Sequence, residues 1–474
     1  MIRLPGTGTL SDRDRRGLTL LTDLARLIPV TDDRADIVAI DLIERPLRFD
    51  SLQAWQAAQW GIAAGDGVVR VSRAALEQVA DVTSATRERT TTHRDRLGRV
   101  PSDRNALVAE GLERTPIVSE AARAFRTAAH DAAGRRLMRL TIPWPDGRRW
   151  AVALTHDVDI VAWWPLFTSL RLAELVRKGE GRRAGRAALA ALGAIGKKNP
   201  AGQGIAELLR VEREHSVHST WFFLCGTPSL RSFLAGDLTY HPESEDARLA
   251  LAAVVSDGHA VGLHGSHATV TAPDVFAEQR SRLANLAQRT IAGVRQHFLR
   301  FDPHHTPQAM RQAEFAYDST AGFPDRNGFR LGVCDVLPEW STGGGAEGEG
   351  KGRPLAEVPF AWMDRALSKY RGIEDPDAWI TDALELAGAC RNLEGLWVGV
   401  WHPNLIPALG YPGAPPAYAR LLERLLTDRP FVGTLDELVA WRQARARLTI
   451  GRVAPDGRLE LKGTDEVSVE EPRL

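Results

Sequence analysis

Between about residue 147 and about residue 442, short apolar runs alternate with stretches of helical spacing. The runs lie at 150–154, 219–225, 259–263, 294–301, 355–362, 396–401 and 431–434. Helical patterns occupy 244–256, 273–288 and 376–391. A run this short, bounded by turn residues, reads as a buried strand. Strands that alternate with helices predict a parallel sheet, either open or closed into a barrel. In such folds the functional groups gather at the carboxyl ends of the strands.

The 474 residues are too many for one ordinary core, and length alone gives a soft expectation of about three domains. Residues 1–145 read as a mostly helical α/β region with one strand at 35–40 and no assignable chemistry. Residues 443–474 read as a hairpin-like tail around Pro455-Asp456-Gly457. Two segments interrupt the barrel pattern of 146–442. The segment 341–353 is a flexible glycine-rich loop by composition, and it lacks the Gly-Lys-Ser/Thr ending of a phosphate loop. The insertion 161–198 carries Trp163, Trp164 and Phe167, followed by Arg171, Arg177, Lys178, Arg182, Arg183, Arg186, Lys197 and Lys198. It reads as a solvated helical excursion, with peripheral membrane contact as the sharper alternative.

The 60 basic and 60 acidic residues cancel, which argues against bulk nucleic-acid binding. Cys225, Cys334 and Cys390 are too few and too scattered for a disulfide framework. The start of the chain lacks the apolar core of a signal peptide, and no apolar stretch is long enough to span a bilayer. The expectation is a soluble, cytoplasmic, bacterial-type protein of unknown oligomeric state.

The first strand ends in Thr155-His156-Asp157-Val158-Asp159. Side chains alternate along a strand, so Asp157 and Asp159 share a face. Two adjacent carboxylates repel unless a cation or a shared proton relieves them, and this is the usual start of a metal site with a neighbouring acid or base. By the same alternation His156 points the other way and reads as a packed strand residue. The next functional group is Gly262-Leu263-His264-Gly265-Ser266-His267. Its two histidines can converge on one ion if the chain turns at Gly265-Ser266. Aspartate and histidine ligands with open positions suit Zn²⁺ or a related divalent ion. Later strand ends carry Arg295 and His297, then His402. His304 and His305 read as rim or loop residues. Trp340, Trp362 and Trp401 read as sugar-stacking or core residues.

In that order, residues 147–442 resemble the NodB-homology polysaccharide deacetylases of carbohydrate esterase family 4. The resemblance implies a distorted (β/α) barrel and metal-dependent removal of acetyl groups from N-acetylated sugars. It makes Asp157 the general base, Asp159 and His264 metal ligands, Arg295 the residue that orients the base, and His402 the acid for the leaving group. The family's second metal histidine falls four residues after the first. Here that position is Ala268, and His267 lies one residue early. Arg295 and His297 share a face if the strand continues, so His297 can reach the metal instead. The 357–362 stretch matches a fourth motif weakly. His402-Pro403 and the following Thr434-Leu435-Asp436-Glu437-Leu438 look like peptidoglycan deacetylases and allantoinase-type amide hydrolases of the same superfamily. The implied cofactor is a divalent metal, with Zn²⁺ expected. The implied partner is a carbohydrate, free or lipid-linked. Hydrolysis of a small cyclic amide or ureide, and a non-catalytic glycan-binding or scaffold barrel, stand as alternatives.

Overall fold

A computed structural model of the chain describes residues 1–474 apart from 6–9, 31–36, 135, 137, 163, 197–198, 339–353, 455–457, 464–466 and 471–474. Trp163, Lys197, Lys198, Trp340, the glycine-rich loop, the Pro455-Asp456-Gly457 turn and the start of the 35–40 strand lie outside the described residues.

The amino-terminal region holds more sheet than one strand. Strands β1 (Ile2–Arg3), β2 (Val38–Ile43), β3 (Ile62–Gly65) and β4 (Val68–Ser72) pair in the order β1-β2-β4-β3. Asp66-Gly67 turns β3 into β4, and Gly67 takes the positive φ that such a turn needs. Helices Asp12–Leu24, Arg73–Thr83 and Ile117–Ala133 contribute their apolar faces to the same core. Gly17 lets the first two approach closely, since a Cβ there would stand 2.1 Å from the Leu76 carbonyl oxygen.

After β5 (Leu140–Thr141) comes the main sheet: β6 (Ala151–Val158), β7 (Thr220–Leu224), β8 (Ala260–Gly265), β9 (Gly293–Gln296), β10 (Tyr317–Asp318), β11 (Ala356–Glu357), β12 (Trp362–Met363), β13 (Leu396–Val400) and β14 (Phe431–Val432). Its spatial order is β11-β10-β9-β8-β7-β6-β13-β12, with β14 added to the start of β6, and every pair is parallel. The edge strands β11 and β12 are joined by only Val358-Pro359-Phe360-Ala361. Five residue steps reach at most about 18 Å. Eight flat strands would span roughly 33 Å. The sheet must therefore curl until its edges nearly meet, which makes it an incomplete (β/α) barrel. β15 (Thr449–Val453) and β16 (Leu459–Lys462) form the expected carboxyl-terminal hairpin. β17 (Val469–Glu470) returns to pair with β5.

Two apolar runs depart from the expected strands. The 355–362 run is split between the two edges of the sheet. The 294–301 run is a strand only to Gln296, because Phe298 and Leu299 adopt positive φ and turn the chain. The insertion folds as helices Trp164–Arg177 and Gly181–Leu192. No helix among the described residues is long and apolar enough to cross a membrane.

Candidate active site

The carboxyl ends of β6, β8, β9, β12 and β13 converge on one cavity of about 310 Å³. Alternation on β6 sends Thr155 and Asp157 to one face and His156 to the other. Arg295, on β9, is fully buried and reaches both inward residues: Nη1 donates to Asp157 Oδ1 at 2.8 Å and to Thr155 Oγ1 at 2.9 Å. Its Nε and Nη2 donate to the carbonyl and the hydroxyl of Ser319. The guanidinium lies 4.4 Å from the Phe222 ring centre and 5.4 Å from that of Phe360. Gly262 makes room for Phe222, since a Cβ there would be 2.5 Å from the ring. Burial alone would raise the Asp157 pKa, but Arg295, with His264 and His402, outweighs it and holds the carboxyl below its usual range. Asp157 is therefore a fixed, ionised carboxylate.

Asp159 lies just past β6. Its Oδ1 is 3.4 Å from His264 Nε2 and 3.5 Å from His297 Nε2. Both imidazoles are oriented from behind, His264 Nδ1 by the Arg295 carbonyl and His297 Nδ1 by the Asp237 carbonyl, each at 2.8 Å. A backbone carbonyl only accepts, so each Nδ1 carries the proton and each Nε2 is free to present a lone pair. One ligand atom from each of Asp159, His264 and His297 falls within 4.8 Å of the others. Asp159 Oδ1 is buried and accepts no hydrogen bond among the described residues. A buried carboxylate oxygen left unpaired is costly, and two imidazoles with a carboxylate are a fitting divalent-metal donor set. The residues therefore fit such an ion. Asp157 and Asp159 also push the His264 pKa up despite burial. A field that favours a proton there also favours a cation.

His402 follows β13 by two residues. Its Nδ1 donates to Asp364 Oδ1 at 2.6 Å, and its backbone N–H donates to Asp364 Oδ2 at 2.6 Å. Its Nε2 faces the cavity, 3.8 Å from Asp159 Oδ2. Burial opposes the imidazolium, but Asp364 outweighs it and raises the pKa. Sequence reasoning missed Asp364, which lies just past the edge strand β12. It also missed Arg365 and Lys369, which line the cavity.

His267 stands apart from the trio. Its backbone N–H donates to Asp237 Oδ1, its Nε2 is 3.7 Å from the same oxygen, and its ring centre is 6.2 Å from that of His297. His297 leaves the strand before the trio forms and stacks on Phe298 at 4.2 Å. It therefore reaches Asp159 through the turn, not through continued strand alternation. His156 is fully buried in a hydrogen-bonded cluster behind the sheet. His304 and His305 lie off the cavity. Trp362 and Trp401 are buried and stack on each other at 5.7 Å, so they belong to the core.

No family model matches the chain, nor does any curated protein. Solved structures do. A candidate polysaccharide deacetylase from Mycobacterium smegmatis is 22% identical with a TM-score of 0.42, covering 66% of this chain and 95% of its own. An allantoinase is 13% identical with a TM-score of 0.41, covering 65% and 94%. A CE4 family pseudoenzyme from Bacillus anthracis is 11% identical with a TM-score of 0.31, covering 62% and 66%.

Proposed function

We propose that this chain is a metal-dependent hydrolase of the NodB-homology deacetylase type, which removes an acetyl group from an N-acetylated sugar or glycan intermediate. The observation that supports it most is the convergence of Asp159, His264 and His297 beside an Arg295-held Asp157 and an Asp364-held His402. Asp159, His264 and His297 would hold the ion, with Zn²⁺ favoured by the donor set. When bound, such an ion polarises the amide carbonyl and acidifies water.

The remaining chemistry belongs to side chains. Asp157 takes a proton from water as its oxygen attacks the carbonyl carbon. Arg295 holds Asp157 ionised until that transfer and fixed throughout, so no reorganisation is needed as charge shifts. His402 Nε2 gives its proton to the departing nitrogen, which an amide needs because an amide anion is a poor leaving group. Asp364 stabilises the imidazolium that precedes this transfer. The C–N bond breaks, acetic acid and a free amine leave, and the proton taken up by Asp157 passes through solvent to His402, which restores both groups.

The same groups would also open a small cyclic ureide. A cavity with Phe298, Tyr370 and Tyr411 in its walls offers the aromatic surface that a sugar ring stacks on, which favours the sugar. Purified protein reconstituted with Zn²⁺ is expected to release acetate from an N-acetylated sugar, and Asp157→Asn to stop it. Acetate release at the wild-type rate by Asp157→Asn would remove the assignment of the base. Turnover confined to a ureide panel would replace the substrate class.

A further inference from the structure

The charges around the cavity do not balance once the site is assembled. Asp157 is matched by Arg295, and Asp364 by His402. Glu174 is matched by both Arg171 and Lys178, and Arg99 by Asp95. Asp159 faces the metal position. Two cations that line the cavity remain, Arg365 and Lys369.

Arg365 hydrogen-bonds only to neutral groups, and the carboxylates Asp364 and Asp159 act on it without touching it. It donates to Asn404 Oδ1 at 2.6 Å and to the Tyr411 hydroxyl at 3.1 Å, and it lies over the Tyr411 ring at 5.4 Å. Lys369 makes no hydrogen bond or ion pair among the described residues, and its Nζ lies 5.4 Å from the Phe298 ring centre. Both belong to the turn that follows β12. Ala366–Arg371 is wound as a π-helix, which keeps residues four apart on one face. Burial and the Arg365 charge push the Lys369 ammonium down to about 8, outweighing the more distant Glu174 and Asp159. A metal ion would add more positive charge nearby. Surplus cations in a partly buried cavity are paired by a ligand or are costly.

We propose that Arg365 and Lys369 form a subsite for a phosphate group on the acetylated substrate. This rests on the deacetylase reading of the same cavity. Two cations with no ion pair among the described residues suit a phosphate better than a single carboxylate, because phosphate carries more charge and more acceptor oxygens. The phosphate could belong to a soluble sugar phosphate or to a sugar phosphate carried on an apolar chain. The rim beyond is apolar and exposed: Leu170 and Leu234 line the cavity at 56% and 76% exposure, and the rings of Phe167 and Phe233 tie their helices together.

The Zn²⁺-loaded full chain is tested on three probes: the methyl glycoside of N-acetylglucosamine, N-acetylglucosamine 1-phosphate, and the alkyl phosphodiester of the latter in micelles. Acetate release from the phosphorylated probes is expected to exceed that from the glycoside about tenfold or more in kcat/KM, chiefly through KM. Lys369→Met is expected to erase most of that advantage and Lys369→Arg to restore it. Equal kcat/KM on charged and neutral probes, or an advantage untouched by Lys369→Met, would overturn the subsite. Calorimetric binding of the phosphorylated probes to Zn²⁺-loaded Asp157→Asn separates the two readings. Binding weakened by Lys369→Met without acetate release from any probe keeps the subsite and fails the deacetylase. Acetate release without phosphate preference does the reverse. A tenfold gain from the alkyl chain assigns the apolar-chain source and no gain assigns the soluble one, and both uphold the subsite.

Discussion

β6 separates two clusters of histidine and carboxylate that are built from the same residue types and left in opposite states. Behind the sheet, Glu212 is fully buried and fully partnered. Its Oε1 accepts from His156 Nε2 at 2.8 Å and from the Tyr418 hydroxyl, and its Oε2 accepts from Ser219 Oγ at 2.8 Å. The other nitrogen of His156 meets the Trp401 carbonyl at 2.7 Å, so the cluster ties the strand of Asp157 to the strand that leads to His402. Inside the barrel, Asp159 Oδ1 has two imidazoles within 3.5 Å and no hydrogen bond among the described residues. A satisfied cluster holds the fold together. An unsatisfied one is held open by the fold, and its donor set fits a cation.

This contrast can be broken by substitution. The largest effect belongs to the inner cluster and is kinetic. Asp157→Asn or His402→Asn is expected to cut acetate release by about 10²–10⁴-fold in a discontinuous assay. Next come unequal effects on stability, read by urea unfolding in chelator. Glu212→Gln is expected to cost roughly 3 kcal/mol, because it disrupts a buried, fully partnered charge. Asp159→Asn is expected to cost the metal-free protein less, about 1 kcal/mol, because Asp159 Oδ1 makes no hydrogen bond among the described residues although His264, His297 and His402 outweigh burial and hold the carboxyl below its usual range. Equal losses from both would erase the distinction.

A third carboxylate group sharpens the contrast through pH. Asp318 and Glu357 are direct neighbours at the ends of β10 and β11. Burial raises both pKa values, Asp318 to about 6 and Glu357 well above its usual range; the neighbouring Asp318 adds to the rise at Glu357, while the hydrogen bond with Glu357 moderates it at Asp318. The folded protein therefore keeps protons that the unfolded chain releases, and stability falls as pH climbs from the ordinary carboxylate range through about 6 and beyond. Glu357→Gln is expected to flatten that decline between pH 5 and pH 8 in thermal melts, and an unchanged slope would count against the pair. The smallest effect is expected from His267→Ala, with metal occupancy by elemental analysis unchanged, because its ring lies beside Asp237 and outside the trio.

The parallel barrel was legible in the sequence because buried strands leave continuous apolar runs. The inward pair Asp157 and Arg295, and the positions of His264 and His402, followed from strand ends. What stayed hidden depended on contacts distant in sequence. β10 is too short to leave an apolar run. The 355–362 run gave no sign that its halves lie at opposite edges, and so Asp364, just past the second half, escaped notice as the partner of His402. His297 was placed near the metal on the premise of a continuing strand, whereas positive φ at Phe298 and Leu299 ends that strand. The β3–β4 hairpin was missed although Asp66-Gly67 is a hairpin signal, because the region reads as helical on either side.

The most direct measurement is a calorimetric Zn²⁺ titration of the chelator-stripped chain alongside Asp159→Asn, His297→Ala, His267→Ala and Glu212→Gln. The expected result is one ion per chain in the wild type, His267→Ala and Glu212→Gln, and loss of that ion in Asp159→Asn and His297→Ala. A wild type that takes up no stoichiometric ion, or an ion retained in both Asp159→Asn and His297→Ala, would contradict the site described above.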